Sequence, residues 1–290
     1  MRLQRRSTWL RRPEEDGTHA HLNRKLTGEM ARRIAAWDPD ICALQEVSAA
    51  GLREIVRVTG MQAVWAMTGP LIGPARLRDA LAARNPDLWR THESNANALL
   101  VGPRLTRVPA CRQAVRLNPL GQIARDAREL RLTRGELMRS VPEPRGVVIA
   151  RIALPDGQEL VAGSTHCHNS RDPELVGREI ARAADAVLAA AGDGPAVLAG
   201  DLNAPPTHAA LSALHGGGWG SAEEAREVGI DRILHRGLEV VEAPRRLPAE
   251  EREVVVSWRG LSRRVRLSDH DPVAAVLRAS ASPAGRSAAR

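Results

Sequence analysis

Residues 146–199 narrow the fold more than any other stretch of this chain. An apolar run at 147–152 is followed by the turn residues Pro155-Asp156-Gly157 and a second strand-length run at 159–165. Two such runs joined by a short polar turn predict a β-hairpin. A long helix is predicted over 173–191, with Leu175, Ile180, Ala184, Val187 and Leu188 on its buried side. Gly192-Asp193-Gly194-Pro195 stops that helix, and 196–199 is another short buried strand. A hairpin, a helix and a strand in succession do not make a regular βαβ series. The class they predict is α+β, with mixed or largely antiparallel sheets and flanking helices.

The rest of the chain is compatible with that class. Residues 1–10 predict a first strand, with Thr8-Trp9-Leu10 at its end. Met30, Ile34 and Trp37 recur at helical spacing over 27–37, and Asp38-Pro39-Asp40 ends that helix. Residues 41–44 form a buried strand that runs into Gln45-Glu46-Val47, and a helix over 49–58 follows. The pairs Gly69-Pro70 and Gly73-Pro74 suggest loops around a helix at 75–84, within a poorly patterned region from 59 to 92. A strand is expected at 95–101. The Arg-rich, Pro-interrupted segment 104–145 reads as a basic, partly helical excursion or as an ordinary solvated stretch. A helix at 207–215, a strand at 230–234 and a hairpin from 254–258 and 263–267 complete the reading. One domain is expected over 1–279, with 280–290 a disordered tail rich in Ala, Ser and Arg.

Composition sets outer limits. The chain has 290 residues, enough for one large core. No apolar run reaches the roughly 18 residues of a membrane span, so no stable membrane association is expected. The basic N-terminus has no apolar segment behind it, so a secretory signal is not expected and the cytoplasm is the expected location. Cys42, Cys111 and Cys167 are odd in number and scattered, which argues against a disulfide framework or a structural zinc site. The net charge of +8 is compatible with a polyanionic partner such as nucleic acid. Lys25 is the only lysine among the 42 basic residues, so base composition of the genome contributes to that excess. The chain lacks Phe and Tyr, which weakens a reading as a base-stacking, single-strand binding module.

Chemistry is concentrated where strands end. Glu46 follows the run 41–44, and His166 follows 161–165. Asp201 and Asn203 follow 197–199. Asp231 lies beside Ile230, and Asp269 and His270 follow 265–267. One polar residue at one strand end is ordinarily a cap or turn residue. Five strand ends that together supply carboxylates, an amide and two imidazoles invite a joint explanation, because ligands sit at strand ends in layered folds. The residue types suit phosphate-ester hydrolysis. Carboxylates such as Glu46 and Asp269 suit Mg²⁺. A histidine's ordinary pKa lies near neutrality, so His270 can serve as a base, with Asp231 fixing its tautomer. Asn203 and His166 can donate to phosphate oxygens, and Asp201 can hold the attacking water.

The ordered set Leu44-Gln45-Glu46-Val47, Ser164-Thr165-His166, Gly200-Asp201-Leu202-Asn203, Ile230-Asp231-Arg232 and Ser268-Asp269-His270-Asp271-Pro272 resembles the endonuclease/exonuclease/phosphatase superfamily. The resemblance spans about residues 8 to 277. It implies a four-layer α/β/β/α sandwich of two mixed sheets flanked by helices. It also implies Mg²⁺ (or Mn²⁺) held by Glu46 and Asp269, with His166, Asp201, Asn203, Asp231 and His270 catalytic. One position departs from it: Leu10 stands where the superfamily usually has a polar Asn after an aromatic residue. The expected function is metal-dependent hydrolysis of a phosphodiester in nucleic acid, by attack of a metal- and Asp-activated water, in a monomer. Two alternatives stay open. One is a phosphatase or lipid phosphodiesterase acting on a small phosphate. The other is a weakly active relative that binds nucleic acid or protein through its Arg-rich surface.

Overall fold

The computed structural model describes residues 26–68, 96–108, 113–140, 144–220, 229–258, 261–268 and 270–279. Several expectations fall elsewhere: the first strand with Leu10, the helix at 75–84, Asp269 itself and the tail. The elements, in chain order, are α1 Thr27–Trp37, β1 Ile41–Val47, α2 Ala49–Thr59, β2 Gln62–Met67, β3 Ala96–Val101, β4 Thr106–Arg107, β5 Gln113–Arg116, α3 Leu120–Glu129, α4 Arg134–Ser140, β6 Gly146–Ala153, β7 Glu159–His166, α5 Pro173–Ala191, β8 Ala196–Asp201, α6 Ala209–Gly216, β9 Asp231–Arg236, β10 Leu238–Arg246, β11 Glu253–Trp258, β12 Leu261–Arg266 and β13 Val273–Ala279. A 3₁₀ turn, Ala249–Arg252, precedes β11.

Two sheets stack face to face between helices. The first has the order β1-β3-β2, all antiparallel. The second has the order β4-β6-β7-β8-β9, with β5 also paired to β6. Side-chain alternation along the strands sorts residues between layers. Ala98 and Leu100 of β3 face α1 and α2, packing with Ala31, Ile34, Leu52 and Ile55. Leu99 and Val101 of the same strand face the other sheet, against Val148, Ala150, Ile152, Leu160 and Ala162. On the far side Val147, Ile149 and Leu198 pack on Val176, Ile180, Ala184 and Val187 of α5. The order helix, sheet, sheet, helix is the four-layer α/β/β/α sandwich. Full burial of each Val, Leu or Ile in these layers contributes roughly 1.5–3 kcal/mol.

Most of the expected elements form. α1 and α5 occupy the predicted residues. Asp172 caps α5 by accepting from Glu174 N and Leu175 N, and Pro173 opens it where a missing N–H costs nothing. The hairpin β6–β7 pairs Val147 with Thr165 and Ile152 with Leu160. A crossover through α5 then makes β7 and β8 parallel, as such a connection requires.

The segment 104–145 is more than a solvated stretch. β5 extends the second sheet, and α3 buries Ile123 and Asp126. Asp126 accepts from Arg182 Nη2 at 2.7 and 2.8 Å and from Arg178 Nη1 at 3.2 Å, which staples α3 to α5. The strands β10 and β13, which the sequence pattern does not pair, stand beside β9 as a separate antiparallel ribbon. His235 is buried on β9 against Gly220. His208 caps α6 through Nδ1, and its Nε2 lies 2.9 Å from Pro173 O. No helix among the described residues is long and apolar enough to cross a membrane.

Candidate active site

The site grows out of the space between the two sheets. Leu160 and Ala162 of β7 face that space, so alternation sends Ser164 and His166 to the same side. Val197 sets the same parity for Ala199 and Asp201 on β8, and Ile233 sets it for Asp231 on β9. Registers then bring the three ends together. His166 pairs with Asp201 across the parallel ladder, and Asp201 pairs with Asp231 across the antiparallel one. One row across three neighbouring strands therefore reads His166, Asp201, Asp231. The intersheet core stops being apolar at this row.

The backbone makes this close approach possible at Gly200, where φ is +144°. A Cβ there would lie 1.9 Å from Thr165 O, so only glycine lets β8 run this tightly against β7. Asn203, at φ +49°, turns the chain immediately after the row. Its backbone N–H donates to Asp201 Oδ1 at 2.8 Å, and its side-chain Nδ2 donates to Cys167 O at 2.9 Å. Asn203 thus ties the ends of β7 and β8 together.

His166 is buried, and its Nε2 lies 3.5 Å from Asp201 Oδ2. His270 arrives from the loop between β12 and β13. Its Nδ1 is 2.9 and 3.1 Å from the two Asp231 oxygens and 4.0 Å from Asp201 Oδ2. A neutral ring that donates its Nδ1–H to Asp231 carries its acceptor lone pair on Nε2. Burial pushes the Asp201 carboxyl up to about 6; the Asp231 charge adds to this, while the Asn203 N–H and the charges of His270 and Arg145 oppose it.

Strand β1 of the other sheet comes up to the same edge through Gln45. Gln45 Nε2 donates to Ser164 Oγ at 3.1 Å, two residues before His166. Strict alternation would turn Glu46 toward the helix layer, with Cys42 and Leu44. A bulge between Leu44 and Val47 breaks that alternation, and Glu46 sits at φ +56° with an exposed side chain. Asp269 lies outside the described residues, between Ser268 and His270. Among the described residues, the set with metal-ligand spacing is Asp201, Asp231 and His270, whose ligand atoms all lie within 4.8 Å of one another. Hard carboxylate oxygens in this set suit a divalent cation, and a cation would relieve the repulsion between Asp201 and Asp231.

Two neighbours go beyond the residues that the sequence singles out or change their role. Arg145 is buried at the start of β6, close enough for its charge to act on Asp201 and Cys167. His168 is committed to α5: its Nδ1 lies 2.6 Å from Oε1 of the fully buried Glu179, and its backbone N–H donates to Oε2 at 2.8 Å. Asn97 is buried and donates to Gly146 O at 2.9 Å.

Comparison with known proteins agrees with this picture. The model of the Endonuclease/Exonuclease/phosphatase family matches residues 20–270. No functionally curated protein matches the chain. Among solved structures, an endonuclease/exonuclease/phosphatase family protein from Bacteroides thetaiotaomicron superposes with a TM-score of 0.58 at 16% identity, covering 88% of this chain and 89% of that one. The mannosyl-6-phosphatase of Bacteroides thetaiotaomicron VPI-5482 gives 0.57 at 15% identity, covering 87% and 90%. The human nocturnin catalytic domain gives 0.51 at 15% identity, covering 74% and 76%. At these identities the likeness is one of fold.

Proposed function

The chain belongs to the endonuclease/exonuclease/phosphatase family and is a phosphoesterase, and from that premise we propose that it is a Mg²⁺- or Mn²⁺-dependent phosphodiesterase acting on nucleic acid. The observation that carries the reading is the row His166, Asp201, Asp231 with His270 seated on Asp231. It gathers on one edge a proton acceptor near neutrality, an oriented imidazole and a second imidazole able to donate to phosphate.

Glu46 and Asp269 would hold the cation. When bound, the cation supplies charge neutralisation at the phosphate and lowers the pKa of a bound water. The chain's own residues divide the remaining work. Asp201, with its carboxyl raised into the range where a base is effective, orients the attacking water and takes its proton. Asp231 holds His270 in the tautomer that presents Nε2. Protonated at Nε2, His270 would give that proton to the leaving oxygen; Asp201 then releases the proton taken from water and the ring takes one back from solvent, while His166 donates to a phosphate oxygen. Asn203 keeps Asp201 in place through its backbone N–H. The charge of +8 favours a polyanionic substrate over a small neutral one.

The test uses bis-p-nitrophenyl phosphate, p-nitrophenyl phosphate and plasmid DNA, each with Mg²⁺, Mn²⁺ or EDTA. Diester and DNA turnover that EDTA abolishes is the expected result. Turnover of the monoester alone would replace this reading with a phosphatase. No turnover of any of the three by folded protein would favour a binding protein.

A further inference from the structure

No strand holds His270 in the site. The loop from Ser268 to Pro272 is instead gripped by the 3₁₀ turn Ala249–Arg252. Arg252 Nη2 lies 2.9 Å from Asp271 Oδ1, and its Nη1 donates to Ser268 O at 3.4 Å. One guanidinium therefore spans His270, touching the chain two residues before it and one residue after it. Backbone bonds pin the outer ends: Leu267 N donates to Arg252 O and Leu247 N to Pro272 O, both at 2.8 Å. The Arg252 side chain is only 10% exposed, so its charge is committed to this contact. The turn is itself anchored. Trp37 Nε1 donates to Glu251 Oε2 at 2.8 Å, Arg33 Nη1 to the same oxygen at 3.2 Å, and Arg33 Nη2 to Glu253 O at 3.0 Å. Helix α1 of the outer layer thus fixes the base from which Arg252 reaches.

We infer that Arg252 is a positioning residue for the reaction: it sets the loop so that His270 Nδ1 meets Asp231, without itself touching substrate. A planar fork is suited to holding two acceptors on either side of one residue, and a lysine ammonium cannot span both. The inference rests on the role given to His270 above, and a double-mutant cycle separates the two.

Measure kcat and KM on bis-p-nitrophenyl phosphate with Mn²⁺ for the wild type, Arg252→Met, Arg252→Lys, His270→Ala and the double variant Arg252→Met/His270→Ala, and determine the crystal structure of Arg252→Met. Arg252→Met is expected to lower kcat by about tenfold or more with KM within about twofold, and Arg252→Lys to recover little of it. In the His270→Ala background the same change should cost less than about twofold, because there is no imidazole left to position. In the crystal structure of Arg252→Met the His270 ring should stand away from Asp231, beyond hydrogen-bonding reach. An equal loss in both backgrounds, or a ring still bonded to Asp231 in Arg252→Met, would overturn the inference. If His270→Ala alone runs at a normal rate, the functional reading fails, and the crystal structure still decides whether Arg252 places the ring. Should Arg252→Met not fold, Asp271→Asn removes the other half of the grip and carries the same expectations.

Discussion

The row on β7, β8 and β9 and the loop that carries His270 serve one site and are held by different means. In the row every residue is set by backbone ladders. His166 and Asp201 are neighbours because two strands are parallel, and Asp201 and Asp231 because two are antiparallel. Their side chains can be exchanged without moving the positions they occupy. None of the loop's described residues between Ser268 and Pro272 joins a ladder. The loop depends on Ser268 Oγ accepting from His270 N at 3.0 Å, on Arg252, and on Arg246 Nη1 at 3.4 Å from Asp271 Oδ2. The lesson concerns where mutations act. The row is fragile to backbone change and tolerant of side-chain change, and the loop is the reverse.

The most severe way to break this contrast is Gly200→Ala. The new Cβ would run into Thr165 O, which is backbone and cannot yield. A loss of about 4 kcal/mol or more is expected, read as a collapse of the melting temperature or failure to fold. A melting temperature near that of the wild type would mean that the row is not ladder-held.

The next effect sharpens the row's tolerance. Asp201 titrates at about 6 in the folded chain and near 4 unfolded, so between those values the folded state keeps a proton that the unfolded state has released. Metal-free protein should therefore lose stability as pH rises from about 4 to about 6, by about 3 kcal/mol, and stay at that lower level above it. In Asp201→Asn the pH dependence should vanish and the protein should be more stable at pH 7, while turnover is lost. Denaturant titrations at several pH values check both. An unchanged slope in the variant would remove Asp201 as the source.

His270→Ala should reduce kcat by about a hundredfold, the usual scale for a general acid or base, with the melting temperature unchanged. An unaffected rate would sever the loop from the chemistry. The smallest expected effect lies at the far end of β7. Glu159 pairs with Arg151 Nη1 at 2.7 Å in a half-exposed ion pair. Glu159→Gln should cost no more than about 0.5 kcal/mol and leave kcat unchanged.

How much of this was legible in the sequence follows from what each element depends on. α1 and α5 declare themselves because a helix buried on one face repeats every three to four residues. β2 hides because Gln62 and Met67 bound a run whose burial is mixed. β10 hides because Glu239, Glu242 and Arg245 lie along a ribbon that is wet on one side. Among the site residues, His166, Asp201 and Asn203 were readable because they end or follow the buried strands β7 and β8, whereas Asp231 opens β9 and His270 follows β12, where Ser262 and Arg264 are exposed. The row itself was not readable, since it requires knowing that β7 and β8 are parallel and in which register. Glu46 depends on a bulge that no local pattern announces. Arg145 and Arg252 are buried, and nothing in the sequence distinguishes them from the rest of an arginine-rich chain.

The split between row and loop also orders events as the chain is made. α1, both sheets and the last member of the row, Asp231, precede the loop in the sequence, whereas the 3₁₀ turn, its partner loop and His270 follow β10. During synthesis the sandwich can close around the carboxylate pair before any imidazole reaches Asp231. A nascent chain halted just after β10 is expected to resist proteases over its core and to hydrolyse nothing. Hydrolytic competence would then be switched on late in translation, when the Arg252 bracket and His270 emerge and close onto a sheet that is already built.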